Sequence, residues 1–144
     1  MRDAAGTTMT KGELGEGVKT LLGQIESFEQ LDVLVWLSRN HPRATTHEVV
    51  GRHTKLTREI AIASLEALVS TGLVQKVGDT EAATFSCSND PVHQSALREL
   101  VTAYDEHLPE VVMLMSENSI ERVRTAVLRR FSDAFLLGGK KKDG

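Results

Sequence analysis

The sequence predicts a mainly α-helical protein with one small β-hairpin, followed by amphipathic helices towards the C-terminus. Three observations support this fold class. Apolar residues recur at helical spacing through most of the 144 residues, helix-capping residues precede several of these segments, and the period changes to alternation after Gly72. Hydrophobic residues make up 40% of the chain and charged residues 26%, which is typical of a folded domain and not of a disordered chain.

The first predicted helices occupy the region before Pro42. An apolar stripe predicts a helix over residues 18–25. Ser27 and Gln30 then have the spacing of a capping box, in which each side chain accepts from the other's free backbone N–H. The helix that begins there is expected to stop before Pro42, because a proline disfavours helical geometry at the residue before it.

Two more helices are expected between residues 45 and 72. Thr45 and Glu48 form a second capping box and predict a short helix through about His53. Thr57 is the expected N-cap of a longer helix, and Gly72 provides the left-handed C-cap that would end it. The expected buried stripe of this longer helix is Ile60, Ala61, Ser64, Leu65, Leu68 and Val69. Leu34 and Leu73 are expected to join Ile60, Leu65 and Leu68 in the core.

A β-hairpin is predicted directly after Gly72. Residues 73–77 and 83–88 have strand character and a Gly-Asp-Thr turn between them. Phe85 and Cys87 are two residues apart, so they share one face of the second strand.

The remaining chain predicts two helices. Asp90 is the expected cap of the first, with Pro91 at a position where the missing N–H of proline is not needed. This helix is expected to run through Leu108 to Pro109, and the second to cover about residues 119–137.

The order of helix, short helix, tight turn, longer helix, Gly-Leu-Val and hairpin resembles the winged helix-turn-helix domains of bacterial transcription regulators, broadly the MarR-like and ArsR-like groups. The resemblance covers roughly residues 27–88, with one departure: the segment from Glu48 to Gly72 is about one residue longer than the commonest spacing. The residues that carry the resemblance are Glu48-Val49-Val50, Leu56, Thr57, Ile60, Leu65, Leu68 and Gly72-Leu73-Val74.

The glycines that crowd both ends of the chain, together with this resemblance, predict a division into four parts. Residues 1–17 are expected to form a flexible arm, residues 18–89 the winged helix-turn-helix domain, residues 90–137 a helical dimerisation region, and residues 138–144 a flexible basic tail.

The charge distribution favours double-stranded DNA as the partner. Although the net charge is −3, residues 39–58 contain five cations and one anion, Glu48, which leaves this segment at +4. A helix of the resembling fold enters the major groove, where Arg58 is expected to bond either a guanine edge or a phosphate. The residues expected to contact DNA are Arg43, Thr45, Thr46, Arg52, Lys55, Thr57, Arg58 and Lys76.

Acidic residues keep an alternative function open. Glu59 and Glu66 lie on the longer helix, and Asp79 and Glu81 lie at the hairpin turn, where they would repel phosphates. A winged helix that binds another protein without direct DNA contact is therefore the second hypothesis.

The C-terminal helices predict a homodimer. Their two apolar stripes exceed what one small core can bury, and a second copy would cover the surplus, although the helices could instead fold back on their own domain. The residues expected at the dimer interface are Leu100, Tyr104, Ile120, Val123, Val127 and Phe131.

Other functional classes lack support in the sequence. No apolar run approaches the roughly 20 residues that span a membrane, no signal-peptide core is present, and the single cysteine cannot form an internal disulfide, so a cytoplasmic protein is expected. The five histidines lack the spacing of metal ligands, and no nucleophile or phosphate-loop motif occurs. We therefore expect neither a cofactor nor an enzymatic activity.

Overall fold

The structure, a computed structural model, describes the backbone of residues 14–143 and the side chains of residues 14–135. It has a mainly α-helical winged helix-turn-helix fold with a two-stranded antiparallel hairpin. Its elements are α1 (Glu16–Gln24), α2 (Phe28–Arg39), α3 (His47–Thr54), α4 (Arg58–Thr71), β1 (Val74–Val77), β2 (Thr84–Cys87), α5 (Pro91–Glu106) and α6 (Leu108–Asp143). The predicted N-terminal arm falls mostly on residues 1–13, which lie outside the described residues, and α1 begins two residues earlier than expected.

The predicted cap of α2 is confirmed. The Ser27 hydroxyl accepts a hydrogen bond from the Gln30 backbone N–H at 3.1 Å. The Gln30 side chain accepts from the N–H of Glu26, one residue before the cap, at 3.0 Å. Both contacts satisfy N–H groups that have no partner within the helix, so local sequence is enough to define where α2 starts.

The predicted cap of α3 is wrong by one residue. Thr46, and not Thr45, accepts from the Val49 N–H, at 3.4 Å. Thr45 is buried and pairs with Phe85 of β2, its N–H donating to the Phe85 carbonyl at 2.9 Å and its carbonyl accepting from the Phe85 N–H at 2.7 Å. This pairing holds Thr45 in an extended conformation beside the hairpin, so the helix cannot include it.

The predicted boundaries of α4 are confirmed, but one predicted core residue is not buried. Thr57 caps the helix and accepts from the Ile60 N–H at 3.3 Å, and Gly72 ends it with a φ of 84°. Ile60 is 42% exposed, whereas Ala61 and Leu65 are fully buried. The reason is the helix phase: α4 packs on α2 and α3 through Ala61, Ser64, Leu65 and Leu68, and its first turn projects beyond them.

The hairpin matches its prediction. β1 and β2 pair from Val74↔Cys87 to Val77↔Thr84, and Gly78 in the turn has a φ of 89°, which favours glycine. Phe85 and Cys87 are 3% and 1% exposed, so they share the inner face. The hairpin thereby closes one end of the core.

The C-terminal helices differ from the expected pair. α5 begins as predicted with the Asp90 carboxylate accepting from the Val92 N–H at 2.9 Å, but it ends at Glu106. A single 36-residue helix, α6, then starts at Leu108 and continues through Asp143, past the predicted end near residue 137. Pro109 lies in the first turn of α6, where it costs no hydrogen bond, so it begins a helix and does not end one.

The core lies between the winged domain and the C-terminal helices. α5 packs on α1 and α2, and the N-terminal part of α6 packs on α1 and α5. The predicted core residues Leu34, Leu65, Leu68 and Leu73 are fully buried. The helix-turn-helix is therefore held by a core on one side and presents its other side to solvent.

Candidate nucleic-acid interface

A close approach of α3 and α4 creates the helix-turn-helix. A Cβ built on Gly51 would lie 3.2 Å from the Leu56 carbonyl oxygen and 3.4 Å from the Ala61 Cβ, which leaves little room for any larger residue. Lys55 ends α3 in a left-handed conformation with a φ of 61°, and the Leu56 N–H donates to the Gly51 carbonyl at 2.9 Å. The chain therefore turns sharply, and α4 begins at the surface.

The first turn of α4 lies at the surface of the domain. The four consecutive residues Thr57, Arg58, Glu59 and Ile60 are all exposed. Sequence reasoning placed Ile60 in the core and so missed it as a surface residue. An exposed aliphatic side chain beside polar ones is a combination that can contact a thymine methyl group in the major groove.

Three of the predicted phosphate-binding cations remain available. Arg43 lies in the loop before α3, Arg52 in the last turn of α3, and Lys55 in the turn itself. All three side chains are exposed, and none of them forms an ion pair within the part of the chain that the structure describes. We call Arg43, Arg52 and Lys55 the open cations.

Arg58 is engaged by the hairpin. Its guanidinium donates to the Glu81 carboxylate, whose other oxygen lies 3.2 Å from the His47 Nε2. The contacts with Arg58 and His47 lower the pKa of Glu81, and the carboxylate raises the pKa of Arg58. The carboxylate therefore stays ionised and connects α3, α4 and the hairpin turn, a contact that sequence reasoning did not anticipate.

Lys76 is not available as the free cation that the sequence predicted. Its ammonium lies 2.6 Å from the Glu66 carboxylate and 5.9 Å from the centre of the Phe85 ring, and its side chain is only 27% exposed. It braces the hairpin against α4, and its contact with DNA stays a prediction.

The three threonines predicted to contact DNA have different environments in the structure. The Thr45 side chain is buried and cannot reach a ligand. Thr46 and Thr57 use their hydroxyls as helix caps, with Thr46 half-buried and Thr57 exposed. The two caps fix the positions of two helix N-termini, a kind of group that can bind phosphate.

Two residues predicted at a dimer interface serve the core of their own chain. Leu100 is fully buried, so it has no surface to offer a partner. The Tyr104 hydroxyl donates to the Asp32 carboxylate at 2.8 Å, and the Arg39 guanidinium lies 5.7 Å from the centre of the Tyr104 ring. Burial and the Asp32 carboxylate raise the pKa of Tyr104, so this contact keeps its proton at neutral pH.

The other four predicted interface residues are exposed along α6. Ile120, Val123, Val127 and Phe131 are 59%, 61%, 53% and 72% exposed. Met113 is 63% exposed and lies seven residues before Ile120, which in turn lies seven before Val127. Residues seven apart lie about two helical turns apart on the same face. We call these five residues the outer stripe.

The opposite face of α6 is already occupied. Val111 and Met115 are buried against the domain, and Arg122 donates to the Ile25 carbonyl at 2.8 Å near the end of α1. At about 100° per residue, Val111 and Met113 point in roughly opposite directions. The outer stripe therefore has no contact within the described chain that could cover it.

Two features are absent from the described residues: a helix that could span a membrane and a cluster of side chains that could hold a metal ion. Within residues 14–143, no helix is both long and apolar enough to cross a membrane. The same residues contain no group of three His, Cys, Asp or Glu side chains arranged to hold a metal ion.

Comparison with known proteins gives matches only among solved structures. No family model matches the sequence, and no curated protein matches it. The chain is similar to the homodimeric winged helix-turn-helix DNA-binding domain of Mb0332 from Mycobacterium bovis, described as a possible ArsR-family transcriptional regulator, with 23% identity and a TM-score of 0.47 over 62% of this chain and 82% of that one.

Two further similar structures are named as regulators. The adhesin competence repressor AdcR of Streptococcus pyogenes has 16% identity and a TM-score of 0.47 over 78% of this chain and 81% of that one. MepR of Staphylococcus aureus, a transcription regulator of a multidrug efflux pump, has 17% identity and a TM-score of 0.46 over 81% and 90%. The winged-helix fold of the present chain rests on its own element order and contacts.

Proposed function

We propose that this protein is a sequence-specific, DNA-binding regulator of transcription that acts as a cytoplasmic homodimer, without cofactor or enzymatic activity. The observation that carries the proposal is the exposed first turn of α4, with the exposed Lys55 in the turn just before it and Arg52 in the last turn of α3. A helix whose first turn projects from the domain can enter the major groove, while cations around it contact the phosphates on either side.

The two kinds of contact are assigned to different residues. Arg43 lies before α3, Arg52 in its last turn and Lys55 between α3 and α4, where the DNA backbone would pass, and they contribute affinity for any sequence. Arg58 and Ile60 lie in the first turn of α4, where side chains reach base edges, and they contribute selectivity.

A second copy of the chain is the proposed cover for the outer stripe. Residues of the opposite face of α6 already pack on α1, so the part of the chain that the structure describes leaves the stripe uncovered. Association about a two-fold axis would bury it and would present two α4 helices to the two halves of a palindromic site.

Binding to duplex DNA by charge-reversed variants tests the proposal. The triple variant Arg43→Glu, Arg52→Glu and Lys55→Glu should lose binding to a random-sequence duplex in a fluorescence anisotropy titration. The matched control reverses three exposed cations elsewhere, Lys19, Arg98 and Arg129, and so has the same net charge. We expect the control to bind nearly as the unmodified protein does.

The salt dependence of binding separates this function from its rival. Each lost phosphate contact should reduce the slope of log K against log salt by about 0.9, so the triple variant should lose up to about 2.7. Equal loss in the test and control variants would mean that only overall charge matters and would contradict the assigned surface.

A protein-binding winged helix remains the second candidate because two specific contacts favour it. Arg58 and Lys76 are both engaged by glutamates, and the exposed carboxylates of Glu48, Glu59 and Asp79 surround the same surface. If the unmodified protein shows no salt-sensitive affinity for duplex DNA, this second function is the better one.

A further inference from the structure

The hairpin turn is built so that Glu81 reaches the start of α4. The Thr80 carbonyl accepts from the Ala83 N–H at 3.0 Å, and the Thr80 hydroxyl accepts from the Ala82 N–H at 3.1 Å. These two bonds fold the turn around Glu81. Its carboxylate, 71% exposed, contacts both the Arg58 guanidinium and the His47 ring.

The two contacts of Glu81 are unlike each other. His47 is 7% exposed and belongs to the packed first turn of α3, so it fixes one carboxylate oxygen. The Arg58 side chain is 53% exposed and has five N–H donors in a planar fork, so it can exchange one acceptor for another. Glu81 is therefore held in place by His47, whereas the Arg58 side chain is free to leave Glu81 for another acceptor.

The position of this pair matters for the proposed function. Arg58 lies in the exposed first turn of α4, the part of the helix assigned to the major groove. A guanine edge and a phosphate oxygen are both acceptors that suit a guanidinium, as the Glu81 carboxylate does. Any DNA that approaches this turn also brings its negative charge towards Glu81 and repels it.

We propose that Glu81 is an intramolecular competitor for Arg58, which holds the guanidinium in the free protein and must be displaced by a DNA acceptor before Arg58 contacts DNA. The inference rests on the DNA-binding function proposed above and adds to it a residue that limits affinity for duplex DNA. Because every duplex carries phosphate oxygens, any duplex must displace the Glu81 carboxylate before Arg58 can contact it.

The test compares two neutralised carboxylates in the same turn. Glu81→Gln removes the competing charge and keeps an oxygen that can accept from His47. Asp79→Asn is the matched control, because Asp79 is exposed two residues away and forms no ion pair within the described chain. Both variants are titrated against a random-sequence duplex over a range of salt, alone and combined with Arg58→Ala.

We expect Glu81→Gln to bind several-fold more tightly than Asp79→Asn, with a salt slope steeper by about 0.9 because Arg58 becomes one additional phosphate contact. That slope corresponds to a gain that shrinks by about 3.5-fold between roughly 50 and 200 mM salt. In the Arg58→Ala background, the two neutralising substitutions should become equivalent.

The outcomes distinguish this inference from the proposed function. Equal gains from Glu81→Gln and Asp79→Asn, or a gain from Glu81→Gln that survives Arg58→Ala, would overturn the inference and leave DNA binding intact. Weaker binding by Glu81→Gln would also overturn it, since the glutamate would then be positioning Arg58 for DNA. Absence of duplex binding by every variant and by the unmodified protein would overturn both.

Discussion

The outer stripe of α6 allows a sharp test of dimerisation, because the chain contains a matched pair of exposed valines. Val123 lies in the stripe and is 61% exposed, whereas Val92 lies in the first turn of α5 and is 75% exposed. The same substitution to aspartate at the two positions introduces the same charge on similarly exposed sites. Only Val123→Asp should disturb the proposed interface.

The size of the effect follows from the exposure of Val123. Full burial of a valine contributes about 1.5–3 kcal/mol, so covering the exposed 61% contributes about 1–2 kcal/mol in each copy. Two-fold symmetry doubles this to about 2–4 kcal/mol, which raises the dimer Kd by about 30-fold to 700-fold. Burial of two carboxylates adds a further cost, so this range is a lower bound.

Sedimentation velocity of the full chain at micromolar concentration measures the result. The unmodified protein and Val92→Asp should sediment at about twice 15.8 kDa, and Val123→Asp at a lower average mass that approaches 15.8 kDa on dilution. Circular dichroism should show the same helical content for all three, since both valines are on the surface of the single chain. A monomeric unmodified protein, or identical sedimentation of the two variants, would refute the assignment of the stripe to a second copy.

Local chemistry explains what the sequence predicted well. Ser27, Thr57, Asp90 and Gly72 each act within four residues of their own position, through a cap hydrogen bond or a left-handed backbone. Such contacts depend on nearby residues only, so their pattern is visible in a single chain. The starts of α2, α4 and α5, the end of α4 and the position of the hairpin followed from them.

Contacts between distant segments explain what the sequence did not predict. The bridge between Thr45 and Phe85 moves the start of α3 by one residue, and its partner lies 40 positions away. The engagement of Arg58 by Glu81 likewise joins residues 23 positions apart. No periodicity or motif encodes such pairs, so a count of cations overestimated the charge available to DNA.

At Pro109 and Ile60 the sequence is compatible with two different local structures. Pro109 can end one helix or begin another, and the sequence around it is compatible with both. Ile60 falls one residue before the buried Ala61, and a shift of about 100° in helix phase decides which of them faces the core. Only the packing of α4 on α2 and α3 resolves that phase.

Two further predictions concern the core of the winged domain. Leu65→Ala should reduce the free energy of unfolding by about 2–5 kcal/mol in urea denaturation, because Leu65 is fully buried. Ile60→Ala on the same helix should reduce it clearly less, because Ile60 is 42% exposed. Similar losses for both would mean that the phase of α4, and with it the exposed first turn, is wrong. Burial raises the pKa of the Cys87 thiol, and iodoacetamide reacts with the thiolate, so alkylation at neutral pH should be much slower in the folded protein than in denaturant. The unfolded chain releases the Cys87 proton at a lower pH than the folded chain does. The free energy of unfolding should therefore be unaffected by Cys87 below the ordinary thiol pKa and should fall as the pH rises above that value, and Cys87→Ser should remove this fall. A free energy of unfolding that stays constant over this pH range in the unmodified protein would contradict the prediction.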